Sequence, residues 1–209
     1  MGLPYCDVRK FSIIDGLAAN TISDIAQTPD RLMWFSTWNG ISYYDGNSFH
    51  TFRDDADDID LLSTNRFMSI YATARNNVWC ITANRRLYVY ETILCTFVPV
   101  GDNINKLYNI DLRVDKIYPI KHDNTWVTTK SGDYLIRING LQREGNIPEL
   151  IKVGQDGLRS GNVWHIWADT KKREWILTDK GTSIYHHQFS TPIPFKWIRE
   201  VGDNIFLAT

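Results

Sequence analysis

The chain has 209 residues, 23 Lys and Arg against 24 Asp and Glu, a formal net charge of −1, and 43% hydrophobic residues. That balance excludes a disordered chain, and the lack of a bulk basic field excludes a general nucleic-acid binder, so no nucleic-acid partner is expected. At roughly 150 residues per domain, with all-β domains often larger, the length predicts one domain.

In chain order, Val8-Arg9-Lys10-Phe11-Ser12-Ile13 reads as an outer strand of a preceding sheet, because Gly16-Leu17 then leads straight into a repeat. The repeat is marked by tryptophan. Trp34, Trp79, Trp126 and Trp175 follow one another at steps of 45, 47 and 49 residues, each in a short apolar run such as Met33–Thr37 or Val78–Thr82. Upstream of each lies a second apolar segment (Thr21–Ile25, Phe67–Tyr71, Val114–Tyr118, Val163–Trp167), separated from the Trp run by a polar turn. Downstream come a turn, usually with glycine, and one or two further β-rich segments such as Ile41–Tyr44 and Ser48–Phe52. These runs are too short and too often broken for a helical solenoid.

Four short β segments per repeat of about 40 to 50 residues match one blade of a β-propeller. The predicted fold is all-β, a partial propeller over 8–209: blades at about 20–52, 65–97, 113–139 and 162–189, the start of a next one at 195–209, and 8–14 as the outer strand of a preceding blade. The repeated Trp is expected to be packing between blades. Because the last strand, Asn204–Thr209, would leave an open edge that natural domains cover, the expectation is a piece of a larger propeller.

The segment Asp15–Ile22, continued by Ile25, Gln27, Asp30, Trp34, Phe35, Thr37, Trp38, Asn39, Gly40, Tyr44-Asp45-Gly46 and Phe49, closely resembles a two-component regulator propeller repeat. Later repeats match more loosely, through Asn65, Trp79, Thr82, Trp126, Gly132, Asn162, Trp175, Thr178 and Gly181. The resemblance implies a seven-bladed ring in the periplasmic sensor region of a Bacteroides-type hybrid two-component system. There a propeller precedes a β-sandwich, a membrane helix and a histidine kinase, so the membrane would be reached only through segments downstream. The sequence departs from the pattern at Arg31 and Ser36, where glycine is usual, and at Asn84-Arg85-Arg86, where a glycine turn would fall. Kinase motifs are missing, so this chain is not expected to transfer phosphate itself.

In a propeller, ligands meet the loops between second and third strands and those leading into each innermost strand. These loops supply Trp38, Asn39, Asn65, Arg66, Arg85, Arg113, Lys130, Asn162 and Lys180 as candidate ligand-binding residues. Amides and cations suit sugar hydroxyls and acid groups, and an exposed indole suits the C–H face of a sugar ring. An oligosaccharide or other small ligand is the expected partner, with self-association of paired ectodomains. The plainer reading is turn chemistry, in which the Asn and Gly residues only satisfy backbone.

No cofactor, metal or catalytic residue is expected. Cys6, Cys80 and Cys95 are too scattered for a zinc site or a disulfide framework. The acidic run Asp54, Asp55, Asp57, Asp58 and Asp60 lacks the glycine and terminal glutamate of a calcium loop. His186-His187, if on a strand, would point to opposite faces. The readings, in order, are a ligand-sensing extracytoplasmic propeller feeding a kinase and a transcriptional response, a protein-interaction scaffold, and a glycan-cleaving propeller.

Overall fold

In the computed structural model the described residues are 8–53, 64–120, 124–140, 147–194, 197–201 and 204–208. Cys6 and the Asp54–Asp60 run lie outside them.

Antiparallel neighbours in sequence order make every sheet. The first is β1 (Ile22–Gln27), β2 (Met33–Thr37), β3 (Gly40–Tyr44) and β4 (Phe49–Phe52). The second is β5 (Phe67–Ala72), β6 (Val78–Thr82), β7 (Leu87–Glu91) and β8 (Thr96–Val98). After helix α1 (Val100–Tyr108) comes the third, β9 (Val114–Pro119), β10 (Asn124–Thr129), β11 (Tyr134–Asn139) and β12 (Glu149–Lys152). The fourth holds β13 (Val163–Ala168), β14 (Glu174–Thr178) and β15 (Gly181–Tyr185), and a last hairpin pairs β16 (Trp197–Val201) with β17 (Asn204–Ala208). The four repeats thus become successive sheets, as their Trp spacing predicts.

Three details differ from the sequence reading. The segment expected as an outer strand over 8–14 forms no strand and ends in a 3-10 turn, Ile13–Asp15. A capping box, in which the Ser12 and Asp15 side chains each accept from the other's end of the turn, takes up the backbone groups a strand would need. Phe11 then packs on Tyr44 and Phe49, ring centres 5.0 and 5.3 Å apart. The fourth sheet has three regular strands. Where the fourth would lie, Phe189 and Ile193 make only isolated bridges to Tyr185 and Thr182, because Pro192 and Pro194 have no N–H to extend a ladder. Helix α1 was not foreseen: Val100 and Ile104, one turn apart, bury against the seam of the second and third sheets, and Asn109 closes the helix in the left-handed conformation.

The core lies between sheets. Trp34 packs on Phe67, Ile70, Val78 and Cys80 of the second sheet, Trp79 on Val114, Ile117 and Val127 of the third, and Trp126 on Val163, Ile166 and Ile176 of the fourth. Deleting such an indole costs about 3 to 5 kcal/mol. Each sheet also turns between its first two strands in the same way: the N–H of Thr28, Thr73, Ile120 or Asp169 donates to the carbonyl four residues on, at 2.9 to 3.1 Å. Arg31, where the family usually has glycine, occupies this turn at φ 71°, and Asn76 and Lys172 hold the same place at 63° and 62°.

Candidate ligand-binding face

Antiparallel order puts the loops after β2, β6, β10 and β14 at the same end of their sheets as the segments leading into β1, β5, β9 and β13. Backbone hydrogen bonds then tie each loop to a leading segment, that of the next sheet for Gly40 and that of its own sheet for the other three, while Val114 N–H donates to Arg85 O (2.9 Å) from the third sheet to the second. Gly40 N–H donates to Asn65 O (2.7 Å), Ala83 N–H to Arg66 O (2.8 Å), Lys130 N–H to Arg113 O (2.7 Å) and Asp179 N–H to Asn162 O (3.3 Å). All nine candidate residues therefore share one face. Fourth-to-third contact is closest at Gly161, where a Cβ would stand 1.8 Å from Gly132 O, so only glycine fits.

Their surroundings divide them. Trp38 is 62% exposed, and the Arg66 guanidinium stands 5.7 Å from its ring centre. Asn39 is partly consumed by structure, its amide donating to Ala18 O (3.4 Å) and its N–H to Thr37 Oγ1 (3.0 Å). Asn65 and Asn162 meet the neighbouring loop through their carbonyls. Arg85 adopts φ 65° in the turn that has glycine in its sister sheets and faces Asp115 at 3.6 Å. Arg113 bonds Asp111 (2.9 Å) and donates to Asn84 O (2.9 Å), while Arg86 pairs with the same Asp111 (3.1 Å) and with Asp102 on α1 (3.5 Å). Such part-exposed pairs contribute about 0 to 1 kcal/mol each, so they orient the arginines more than they stabilise the fold. Lys130 and Lys180 are exposed.

Sequence reasoning missed what lies beside these loops. In every inner strand one residue is skipped by the pairing with its neighbour: Ser23, Met68, Asp115 and Trp164. The signal is the spacing apolar-x-x-Ile in Ile22–Ile25, Phe67–Ile70, Val114–Ile117 and Val163–Ile166. Strict alternation puts residues three apart on opposite faces. Phe67 with Ile70, Val114 with Ile117 and Val163 with Ile166 are each buried in one core cluster, which needs one extra residue.

A second polar group lies at the opposite end, between the third and fourth sheets, around a cleft of about 310 Å³ lined by Asn124, Arg137, Lys172, Glu174, Tyr185 and the two histidines. Buried Glu174 accepts from Arg137 Nε and Nη2 (2.8 and 2.7 Å), Trp126 Nε1 (2.9 Å) and Asn124 Nδ2 (2.9 Å). Burial works against the Arg137 charge, but Glu174 holds its pKa above the usual value. Tyr185 donates to Glu149, and burial followed by that carboxylate pushes the phenol well up. His186 and His187 sit in the turn after β15 rather than on a strand. His187 has φ 59°, and the rings come within 5.3 Å edge to face instead of pointing to opposite sides. Among the described residues no three His, Cys, Asp or Glu side chains group as a metal site. Burial also pushes the Cys80 thiol far up, which leaves it unreactive.

The Two component regulator propeller family profile matches residues 16–39, the stretch from Gly16 through β1 and β2 to the Asn39 loop. The chain carries a two-component regulator propeller repeat. No curated protein matches the chain. Among solved structures, it resembles YCF48 in its peptide-bound form (TM-score 0.57, 9% identity, 89% of this chain and 60% of that one). It also resembles virginiamycin B lyase of Staphylococcus aureus (TM-score 0.55, 13% identity, 90% and 62%). A third likeness is to the extracellular domain of a hybrid two component system of B. thetaiotaomicron (TM-score 0.49, 17% identity, 96% and 34%). The chain spans about six tenths of the length of the first two and about a third of the third. The first two likenesses show a propeller fold. Among the described residues no sheet joins the first to the last, as expected for part of a ring.

Proposed function

We propose that this chain is the ligand-sensing part of an extracytoplasmic propeller in a hybrid two-component sensor histidine kinase, and that it holds a carbohydrate without turnover. The observation that carries the sensor reading is the regulator propeller repeat at residues 16–39, which supplies β1, β2 and the Trp38 loop of the first sheet. Exposed Trp38 under the Arg66 guanidinium supports a sugar: the indole offers a flat apolar surface, and Arg66, Lys130 and Lys180 offer donors to hydroxyl or acid groups. The helix α1 is nine residues long, and no helix among the described residues is long and apolar enough to cross a membrane. Signalling to a kinase and a transcriptional response would then require the ligand to favour one arrangement of paired ectodomains over another.

Calorimetry of the chain against neutral and acidic oligosaccharides tests the reading. Binding that is lost in Trp38→Ala and Arg66→Ala supports it. Release of reducing sugar, abolished by a single Asp or Glu substitution, would overturn it in favour of an enzyme.

A further inference from the structure

The inner strands β1, β5, β9 and β13 each pair on one side only, so each sheet presents one open strand edge to the axis side of the stack. On every one of these edges the pairing skips one residue just past the loop face. A bulge repeated at the same register four times is a constructed feature, and bulges characteristically re-aim a side chain next to a binding site. The skipped residues are Ser23, Met68, Asp115 and Trp164.

Two of them, Trp164 and Asp115, are not placed as packing residues. Trp164 is 45% exposed, whereas the four repeat tryptophans are buried. Asp115 is part-exposed and held in place by Arg85 from the loop of the preceding sheet, 3.6 Å away. Next to Trp164, exposed His165 lies edge-on to Tyr118, ring centres 6.3 Å apart, and Tyr118 in turn donates to Val163 O (3.3 Å), so the strand beneath the indole is braced. An exposed indole on a braced strand and an oriented carboxylate are the two groups that recognise a pyranose: a stacking surface and an acceptor for paired hydroxyls.

We propose that these four bulged residues are the ligand-contact row of the face, with Trp164 a second stacking platform and Asp115 the hydroxyl acceptor. The inference rests on the carbohydrate reading above. Trp38 belongs to the first sheet and Trp164 to the fourth, so a ligand touching both crosses the inner edges of β5 and β9. The occupant is therefore an oligosaccharide of several sugars, not a monosaccharide.

The test uses the whole 209-residue chain, with its indole N–H groups labelled with ¹⁵N, titrated with hexasaccharides of glucose, mannose, arabinose and galacturonic acid and with the matching monosaccharides. Expected are shifts of the Trp38 and Trp164 indole signals with at least one hexasaccharide, and affinity lower by about tenfold or more for its monosaccharide. Trp164→Ala should weaken binding by about tenfold, Trp164→Phe should keep most of it, and Asp115→Asn should weaken it without changing the melting temperature. Hexasaccharide binding that needs Trp38 but is indifferent to Trp164→Ala and Asp115→Asn would overturn the contact row and leave the face reading standing. No binding by any probe would overturn both.

Discussion

The seam between the first and second sheets and the seam between the third and fourth share one frame and fill it differently. In the first, Trp34 lies 5.0 Å from Tyr90, and in the second Trp126 lies 5.0 Å from Tyr185, each tyrosine standing at the same register opposite the first residue of a second strand. Around the first pair the partners are Tyr43, Phe52, Phe97 and Val78, a cluster of rings and one aliphatic. Around the second, Arg137 stands where Tyr43 does and Glu174 where Val78 does. The aromatic seam leaves the buried Trp34 Nε1–H without an acceptor among the described residues, while the charged seam gives Trp126 Nε1–H a carboxylate. One frame thus accepts an apolar or an ionic filling.

Removing half of the ionic filling should have the largest effect. Glu174→Ala leaves the Arg137 guanidinium, the Trp126 indole N–H and the Asn124 amide without their shared acceptor, and breaking such a buried pair costs about 3 to 5 kcal/mol. Denaturant unfolding measures the loss. Because stacked repeats contact mainly their neighbours, hydrogen exchange should quicken in β10, β11 and β14 and stay unchanged in β1 and β2. Uniform quickening would break the comparison.

Paired indole substitutions come next in size. Trp126→Phe removes a donor from a buried carboxylate, whereas Trp34→Phe removes an N–H that has no partner to lose. Both lose similar ring volume, so the first should cost more by about 1 to 2 kcal/mol. Equal losses would mean that the Trp126–Glu174 bond contributes nothing.

Acid should act more weakly, and on the fourth sheet. Burial pushes the Asp169 carboxyl up, but bonds from Trp175 Nε1 (2.9 Å), the Arg173 backbone (2.9 Å) and Arg173 Nε (2.6 Å) hold its pKa below the usual value. A carboxylate depressed on folding stabilises fully above its unfolded pKa, near 4, and that contribution is lost as pH falls through the folded value. In the first sheet Asp45 is also held low, by the Ser48 and Asn47 backbone and His50, though in an exposed turn. Thermal melts between pH 7 and pH 3 should fall less steeply in Asp169→Asn than in the native chain. Parallel curves would remove Asp169 from the acid response.

How far these features could be read in the sequence depends on the distance over which each is encoded. Sheet order follows from local patterns, the Trp runs and polar turns, and was legible. The loop face was legible too, since topology alone gathers Trp38, Arg66, Arg85 and Lys130. Helix α1 was not, because its one buried turn, Val100, Gly101 and Ile104, is too short to show a helical period. The bulge row was hidden by assuming strict alternation, although apolar-x-x-Ile recurs in each inner strand. Arg137 and Glu174 were out of reach for a different reason: they sit 37 residues apart on different sheets, and nothing local marks them as partners.

The smallest net effect should come from the most drastic change, which copies the first seam into the second. Arg137→Tyr with Glu174→Val would reproduce the Tyr43 and Val78 filling beneath Trp126. Replacing a buried ion pair by apolar groups of similar volume is often neutral or stabilising by about 1 to 4 kcal/mol. Against that gain stands the Trp126 N–H, left buried without an acceptor as Trp34 already is, at about 1 to 3 kcal/mol, whereas the part-buried Asn124 amide can turn to the open cleft. The two nearly cancel, so the double variant should lie within about 1 kcal/mol of the native chain while each single variant loses several. Such a cycle isolates the coupling between the two positions. A double variant as unstable as its single parents would mean that the third and fourth sheets are set at a different spacing from the first two, and that their frame is not shared after all.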